Sequence, residues 1–213
     1  ACPTGSTSNL LTYLARGDVA LALSFTAVAS VATIFTLPLV VTWALGHYLG
    51  TARAIDVAVG LMMGQVALVL GVPVSLGMFA RHRFTAWAQR FEPRATRVAT
   101  GLFVLIVLLA VVKNWPLLRD NFSTLAPFAV LLNVSMLGVG FAVAWAARLP
   151  SRQSVTLGIE TAVQNAALAL VIASTVLKED AMAIPGAVYG VLMYAGGLVF
   201  ALAMRRLVYD EPL

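Results

Sequence analysis

Glu160 is the one carboxylate between Ser154 and Leu177, a stretch with the length and hydrophobicity of a membrane span. A charge at span depth costs roughly 2.5–3.5 kcal/mol on insertion scales, and chains keep one that faces a cavity, a partner or an ion. Thr156, Glu160 and Gln164 are spaced i, i+4, i+8, so on an unbroken helix they share one face. That face offers hydroxyl, carboxylate and amide oxygens, a donor set for a hard cation, of which sodium is the commonest monovalent one. A second polar cluster, Gly5-Ser-Thr-Ser-Asn9, opens the chain just after Pro3.

Membrane spans must position both clusters. Of the 213 residues, 61% are hydrophobic and 11% charged, against about 25% charged in soluble domains. The composition predicts an integral membrane protein. Breaks in hydrophobicity give a half span at about 6–15, then spans at about 19–46, 55–80, 96–113, 124–147, 154–177 and 183–204. Each full span is long enough for a hydrocarbon core of about 30 Å. The apolar/polar dyads of a membrane barrel are absent. The expected fold class is an all-α polytopic membrane protein. A signal peptide is not apparent, and the start at Ala1 reads as the middle of something longer.

Charge sets the orientation. With the loop 81–97 on one side, that side collects Arg16, Arg81, Arg83, Arg90, Arg94, Arg97, Arg148, Arg152, Arg205 and Arg206. The other holds Arg53, Lys113, Arg119 and Lys178. The positive-inside rule makes the richer side, with the C-terminus, cytoplasmic, so the net charge of +5 reports topology rather than nucleic-acid binding. Gln164 and Asn165 then lie about 20 Å from either end of their span, near the midplane. The half span ends inside at Arg16 and runs opposite to the span 154–177. Two polar clusters meeting at the midplane, one after Pro3 and Gly5 and one after Gly158, predict discontinuous helices of a transporter. Half-helix N-termini suit an anionic substrate; unwound carbonyls suit a cation.

The run Cys2-Pro-Thr-Gly-Ser-Thr-Ser-Asn-Leu-Leu-Thr-Tyr-Leu-Ala-Arg-Gly-Asp18 resembles the fourth-helix signature of the bile acid:sodium symporter family. Gly158-Ile-Glu-Thr-Ala-Val-Gln-Asn165 resembles its ninth helix. The resemblance implies ten helices in two inverted repeats, with broken helices four and nine crossing. Residues 1–50 would hold the second half of helix four and helix five, 51–121 panel helices six and seven, and 122–213 core helices eight to ten. It implies one sodium site at Ser8, Asn9, Thr26 and Glu160. A second would use Glu160, Gln164 and the carbonyls of Thr161 and Val163. Substrate contacts fall at Ser6, Asn9 and Asn165. Ala22 stands where the family often has Ser, and Met193-Tyr-Ala-Gly-Gly197 where it often has Asn beside His.

The implied function is sodium-coupled symport of an organic anion, bile-acid-like or another carboxylated metabolite, by alternating access in the plasma (inner) membrane. Its partners would be that anion, sodium ions and the lipid bilayer, with no organic cofactor and no nucleic acid. The alternatives are a proton-coupled organic anion carrier and an arsenite-type exporter. An intramembrane enzyme is not expected, because no His or Asp lies at span depth to serve a nucleophile. Thr26 by itself would bond its own helix; only the resemblance gives it a ligand role. Asn133 and Gln65 read as packing groups. Gly60-x-x-x-Gly64 and Gly186-x-x-x-Gly190 read as close helix contacts. Tyr13, Trp43, Tyr48, Trp87 and Trp115 fit an interfacial aromatic belt.

Overall fold

The computed structural model describes residues 2–5, 7–49, 59–113 and 115–209. Among them the regular structure is helical. The helices are α1 (Ser8–Leu14), α2 (Val19–Leu49), α3 (Val59–Val66), α4 (Val72–Arg83), α5 (Thr85–Lys113), α6 (Trp115–Ala146), α7 (Ser151–Ala162), α8 (Ala166–Val171) and α9 (Ala183–Tyr209). Val19–Tyr48, Arg119–Ala146 and Ala183–Val208 are long and apolar enough to cross a membrane. They expose large apolar side chains such as Val28, Phe35, Leu131, Val143, Val191 and Leu202. Tyr13, Trp43, Tyr48, Trp87 and Trp115 are exposed as well.

The chain forms two compact units, one of residues 30–113 and one of residues 2–29 and 114–213. In the first, α3 passes into α4 through a π turn, Ala67–Gly71. Pro73 follows two residues after it: its ring has no N–H to donate and crowds the carbonyl four residues back, and a widened turn relieves both problems. The predicted span 55–80 is carried by this α3–α4 element, its first four residues lying outside the described ones. The expected loop 81–97 is much shorter in the structure. It contracts to Phe84, and α5 already begins at Thr85 and runs through Pro93. Charge argues for a loop, but Ala, Gln, Arg and Glu are good helix formers, and an amphiphilic helix can carry them outside a bilayer. At Gly60 and Gly64 a Cβ would meet nothing within 4 Å among the described residues, so the expected close contact there is not made.

The second unit is built around α7, which is polar in sequence and yet almost wholly buried. Ser154, Val155, Thr156, Gly158, Ile159, Glu160 and Ala162 are all buried. Small residues let its neighbours approach. A Cβ at Gly140 of α6 would lie 2.5 Å from the Leu157 carbonyl, and one at Gly190 of α9 would lie 2.6 Å from the Ala166 Cβ. The predicted contact through Gly186 and Gly190 is therefore made, against α8. Gly158 is not where the helix breaks. It sits inside α7 against the Leu137 carbonyl and the Phe200 ring, and its role is close packing.

The corner between α1 and α2 is clasped to the base of α7. Arg16 adopts φ 62°, and Gly17 N–H donates to Thr12 O while Arg16 N–H donates to Tyr13 O, a Schellman closure of α1. Arg152 Nε donates to Gly17 O, and Asp18 N–H donates to Thr156 Oγ1 at 2.8 Å. Asp18 Oδ1 accepts from Leu21 N–H at 3.0 Å and so caps α2. That hydrogen bond, aided by Gln153 and Arg152, outweighs desolvation and holds the Asp18 carboxyl below its ordinary pKa of 3.8. The folded state thus favours the charged form. Its contribution is complete above the unfolded pKa and is lost as acid takes the pH through the lower folded value. Asp18→Ala is expected to destabilise the protein by about 1 kcal/mol, and Asp18→Asn, which keeps the capping oxygen, by less. Thermal unfolding in detergent checks this; the Asp18→Ala deficit should be flat across neutral pH and shrink in strong acid.

Candidate ion-binding site at the helix crossing

Before α1, residues 2–5 run extended and pair antiparallel with the gap between α7 and α8. Thr4 and Gln164 form an isolated bridge, Gly5 N–H donates to Val163 O at 3.0 Å, and Asn165 N–H donates to Pro3 O at 2.7 Å. The extended segment thereby satisfies backbone groups that the interruption between α7 and α8 leaves open. The extended segment before α1 and the break between α7 and α8 therefore meet at this pair of peptides. The predicted span 154–177 is interrupted at residues 163–165, five residues beyond Gly158, and it continues as α8 and a second π turn, Ile172–Val176.

Glu160 lies on the last turn of α7, with 1% of its surface exposed. Thr26 of α2 donates to its Oε2 at 3.1 Å, and Thr12 of α1 donates to Oε1 at 3.4 Å. Ser8 is fully buried beside the same carboxylate, and its hydroxyl completes no hydrogen bond. Thr4 Oγ1 donates to the Glu160 backbone carbonyl at 3.2 Å. Among the described residues no Lys, Arg or His forms an ion pair with Glu160. Neutral hydroxyls orient a carboxylate but do not balance its charge. A carboxylate so buried is costly by several kcal/mol unless a cation or a proton joins it.

The expected residues fall at three kinds of place. Ser8 and Thr26 lie against the Glu160 carboxylate. Asn9 follows Ser8 on α1 and is half-buried. Thr161 and Val163 flank the end of α7, and Gln164 reaches back to Thr161 O at a long 3.5 Å. Asn165 caps α8, its Oδ1 accepting from Leu168 N–H at 3.0 Å. Ser6 lies outside the described residues.

The three-residue oxygen face read from spacing is not formed. Gln164 lies past the end of α7, where the 3.6-residue period no longer holds. Thr156 turns its hydroxyl to the α1–α2 corner, donating to Arg152 O while accepting from Asp18 N–H. The oxygens around Glu160 come instead from α1 and α2. Thr12 and Thr4 were missed by the sequence reading. Thr12 had a signal: it stands four residues after Ser8 and shares its helical face.

A family model described as the sodium bile acid symporter family matches residues 1–121. A probable sodium/metabolite cotransporter, BASS1, chloroplastic, of Arabidopsis thaliana is 29% identical over 205 residues, covering 96% of this chain and 50% of that protein. The ileal sodium/bile acid cotransporter of Homo sapiens is 29% identical over 171 residues, covering 78% of this chain and 47% of that protein. The chain thus spans about half the length of the curated relatives it matches. These relatives are membrane transporters, not enzymes. The two motifs that meet at the crossing, and a family match over more than half of the residues, lead to one assignment: the chain belongs to the sodium bile acid symporter family.

Proposed function

We propose that the protein carrying this chain is a sodium-coupled symporter of an organic anion, working by alternating access. The observation that carries the reading is Glu160, buried, with the neutral hydroxyls of Thr12 and Thr26 donating to it and no ion pair to a basic residue among the described ones. A sodium ion at this carboxylate supplies the missing charge. Ser8, Asn9 and Thr26 complete one site around it, and Gln164 with the carbonyls of Thr161 and Val163 offers a second. The extended pairing of residues 3–5 with 163–165 ties the two sites mechanically, so that filling one orders the other. Asn9 and Asn165, at the starts of α1 and α8, face a carboxylated substrate. Inverted repeats, with a panel of residues 51–121 moving against a core of residues 1–50 and 122–213, would expose the site to each side in turn. The excess of Arg on one side supports a cytoplasmic C-terminus in the plasma (inner) membrane.

Energetics favour two sodium ions. One ion with one monovalent anion is electroneutral and leaves only the concentration gradient, about 1.4 kcal/mol per tenfold difference. Two ions add a net charge that the membrane potential also drives, for about 5 kcal/mol in all at 100 mV.

The same buried carboxylate would also take a proton, which is the proton-coupled alternative. Uptake of a labelled bile acid and of a panel of labelled carboxylates by the full-length protein separates the two. Replacing sodium by choline is expected to reduce uptake at least tenfold, whatever the pH gradient. Uptake that persists in choline and follows an imposed pH gradient assigns the site to protons.

A further inference from the structure

α7 ends in the interior of its unit, where its last carbonyls have no helical partner. Each finds a different donor. The last helical bond runs from Val163 N–H to Ile159 O; beyond it Glu160 O accepts from the Thr4 hydroxyl, and Val163 O, just past the helix end, from Gly5 N–H. Thr161 O has the Gln164 amide at 3.5 Å, at the limit of a hydrogen bond. Ala162 O is held from a separate direction: the Tyr189 hydroxyl of α9 donates to it at 2.7 Å in a buried contact.

A tyrosine hydroxyl that donates its proton keeps lone pairs for a further donor. Asn133 of α6 stands beside it. Asn133 is 1% exposed, and neither its side-chain oxygen nor its nitrogen completes a hydrogen bond. Its carboxamide oxygen fills the space where a side chain at Gly196 of α9 would begin. α6, α7 and α9 therefore meet at one buried polar point, at the Ala162 carbonyl that stands between those of Thr161 and Val163.

We infer that Tyr189 is a positioning residue of the ion site, supported by Asn133: it anchors the Ala162 carbonyl to α9 and thereby aims the carbonyls of Thr161 and Val163 at the ion. This rests on the sodium reading of the crossing. Freed of that anchor, the Ala162 peptide can rotate, and the carbonyls on either side rotate with it. Phe fills the same space as Tyr, so the packing survives; the unpaired Ala162 carbonyl lowers stability with or without sodium, and the loss of sodium affinity is read on top of that.

The test uses the full-length protein and two readouts, sodium activation of uptake and the rise in melting temperature on adding sodium chloride in place of choline chloride. Tyr189→Phe is expected to raise the sodium concentration for half-maximal uptake roughly tenfold. The substrate KM at saturating sodium should stay near the parent's; the melting temperature in choline should fall modestly, and its rise on adding sodium should shrink at a given sodium concentration. Asn133→Ala is expected to shift the sodium curve the same way by less, and the double variant to be no worse than Tyr189→Phe alone. A sodium-dependent parent whose curve is unmoved by Tyr189→Phe overturns the inference and leaves the sodium reading intact. A fall in maximal rate with an unmoved sodium curve also overturns it, since that is a packing effect. A parent that neither requires sodium nor gains stability from it rejects the sodium reading, and the inference with it.

Discussion

Glu160→Gln is expected to reduce sodium-driven uptake by the full-length protein at least a hundredfold, to the level of untransfected membranes. Gln has nearly the shape of Glu and keeps an oxygen to accept from Thr26 or Thr12, so the packing at the end of α7 survives. What disappears is the charge. The hydroxyls that surround it are neutral, and no basic residue among the described ones pairs with it. A bound cation is therefore the group that notices the substitution. The same logic predicts opposite effects on stability with and without sodium. In choline, Glu160→Gln should melt at or above the parent's temperature, because an uncompensated buried charge has been removed. In sodium at a hundred times its Kd, the parent should gain about 2.7 kcal/mol and the variant almost none. Sodium stabilising both proteins equally, or uptake surviving in the variant, would sink the assignment of the ion to this carboxylate.

Gly140→Val is expected to prevent stable folding, whereas Gly138→Val, two residues earlier on the same helix, should be tolerated. A Cβ at Gly140 would lie 2.5 Å from the Leu157 carbonyl and 2.6 Å from Thr161 Oγ1. The first of these is backbone and cannot rotate aside; the second is pinned by its own bond to Leu157 O at 2.7 Å. α6 and α7 must separate, and α7 carries Glu160 and the carbonyls at the crossing. Overpacking of this kind costs about 3 kcal/mol or more when backbone must move. At Gly138 a Cβ meets nothing within 4 Å among the described residues, and any side chain there other than Pro improves helix propensity over glycine by a few tenths of a kcal/mol. The monodisperse yield and melting temperature of the two variants in detergent decide the matter. Equal behaviour would mean that α6 and α7 do not approach through Gly140.

Several features were legible because they depend on local chemistry alone. Apolar length in α2, α6 and α9 outweighs any tertiary influence, since a run of this kind has one good solvent. The isolation of Glu160 in an apolar run pointed to a buried polar centre, and the polar residues after Pro3 are among those that lie against it. The convergence of Ser8 and Thr26 on Glu160 was reached through the family motifs, not through spacing. The extent of α5 was misread because charge argues for exposure, and an exposed segment can still be helical.

The tertiary structure decided the rest. Spacing put Thr156, Glu160 and Gln164 on one face, a rule that holds only while a helix continues. Where α7 stops is set by hydrogen bonds from residues far away in sequence: Pro3 and Gly5 claim the backbone of 163–165, and Tyr189 claims Ala162 O. The same competition drew the Thr156 hydroxyl to Asp18 and brought in Thr12. By itself the sequence determined which residues could not be left in lipid, because transfer cost belongs to each side chain. Only the folded chain decided which of their oxygens face one another, because a hydrogen bond goes to whichever partner the packing brings within reach.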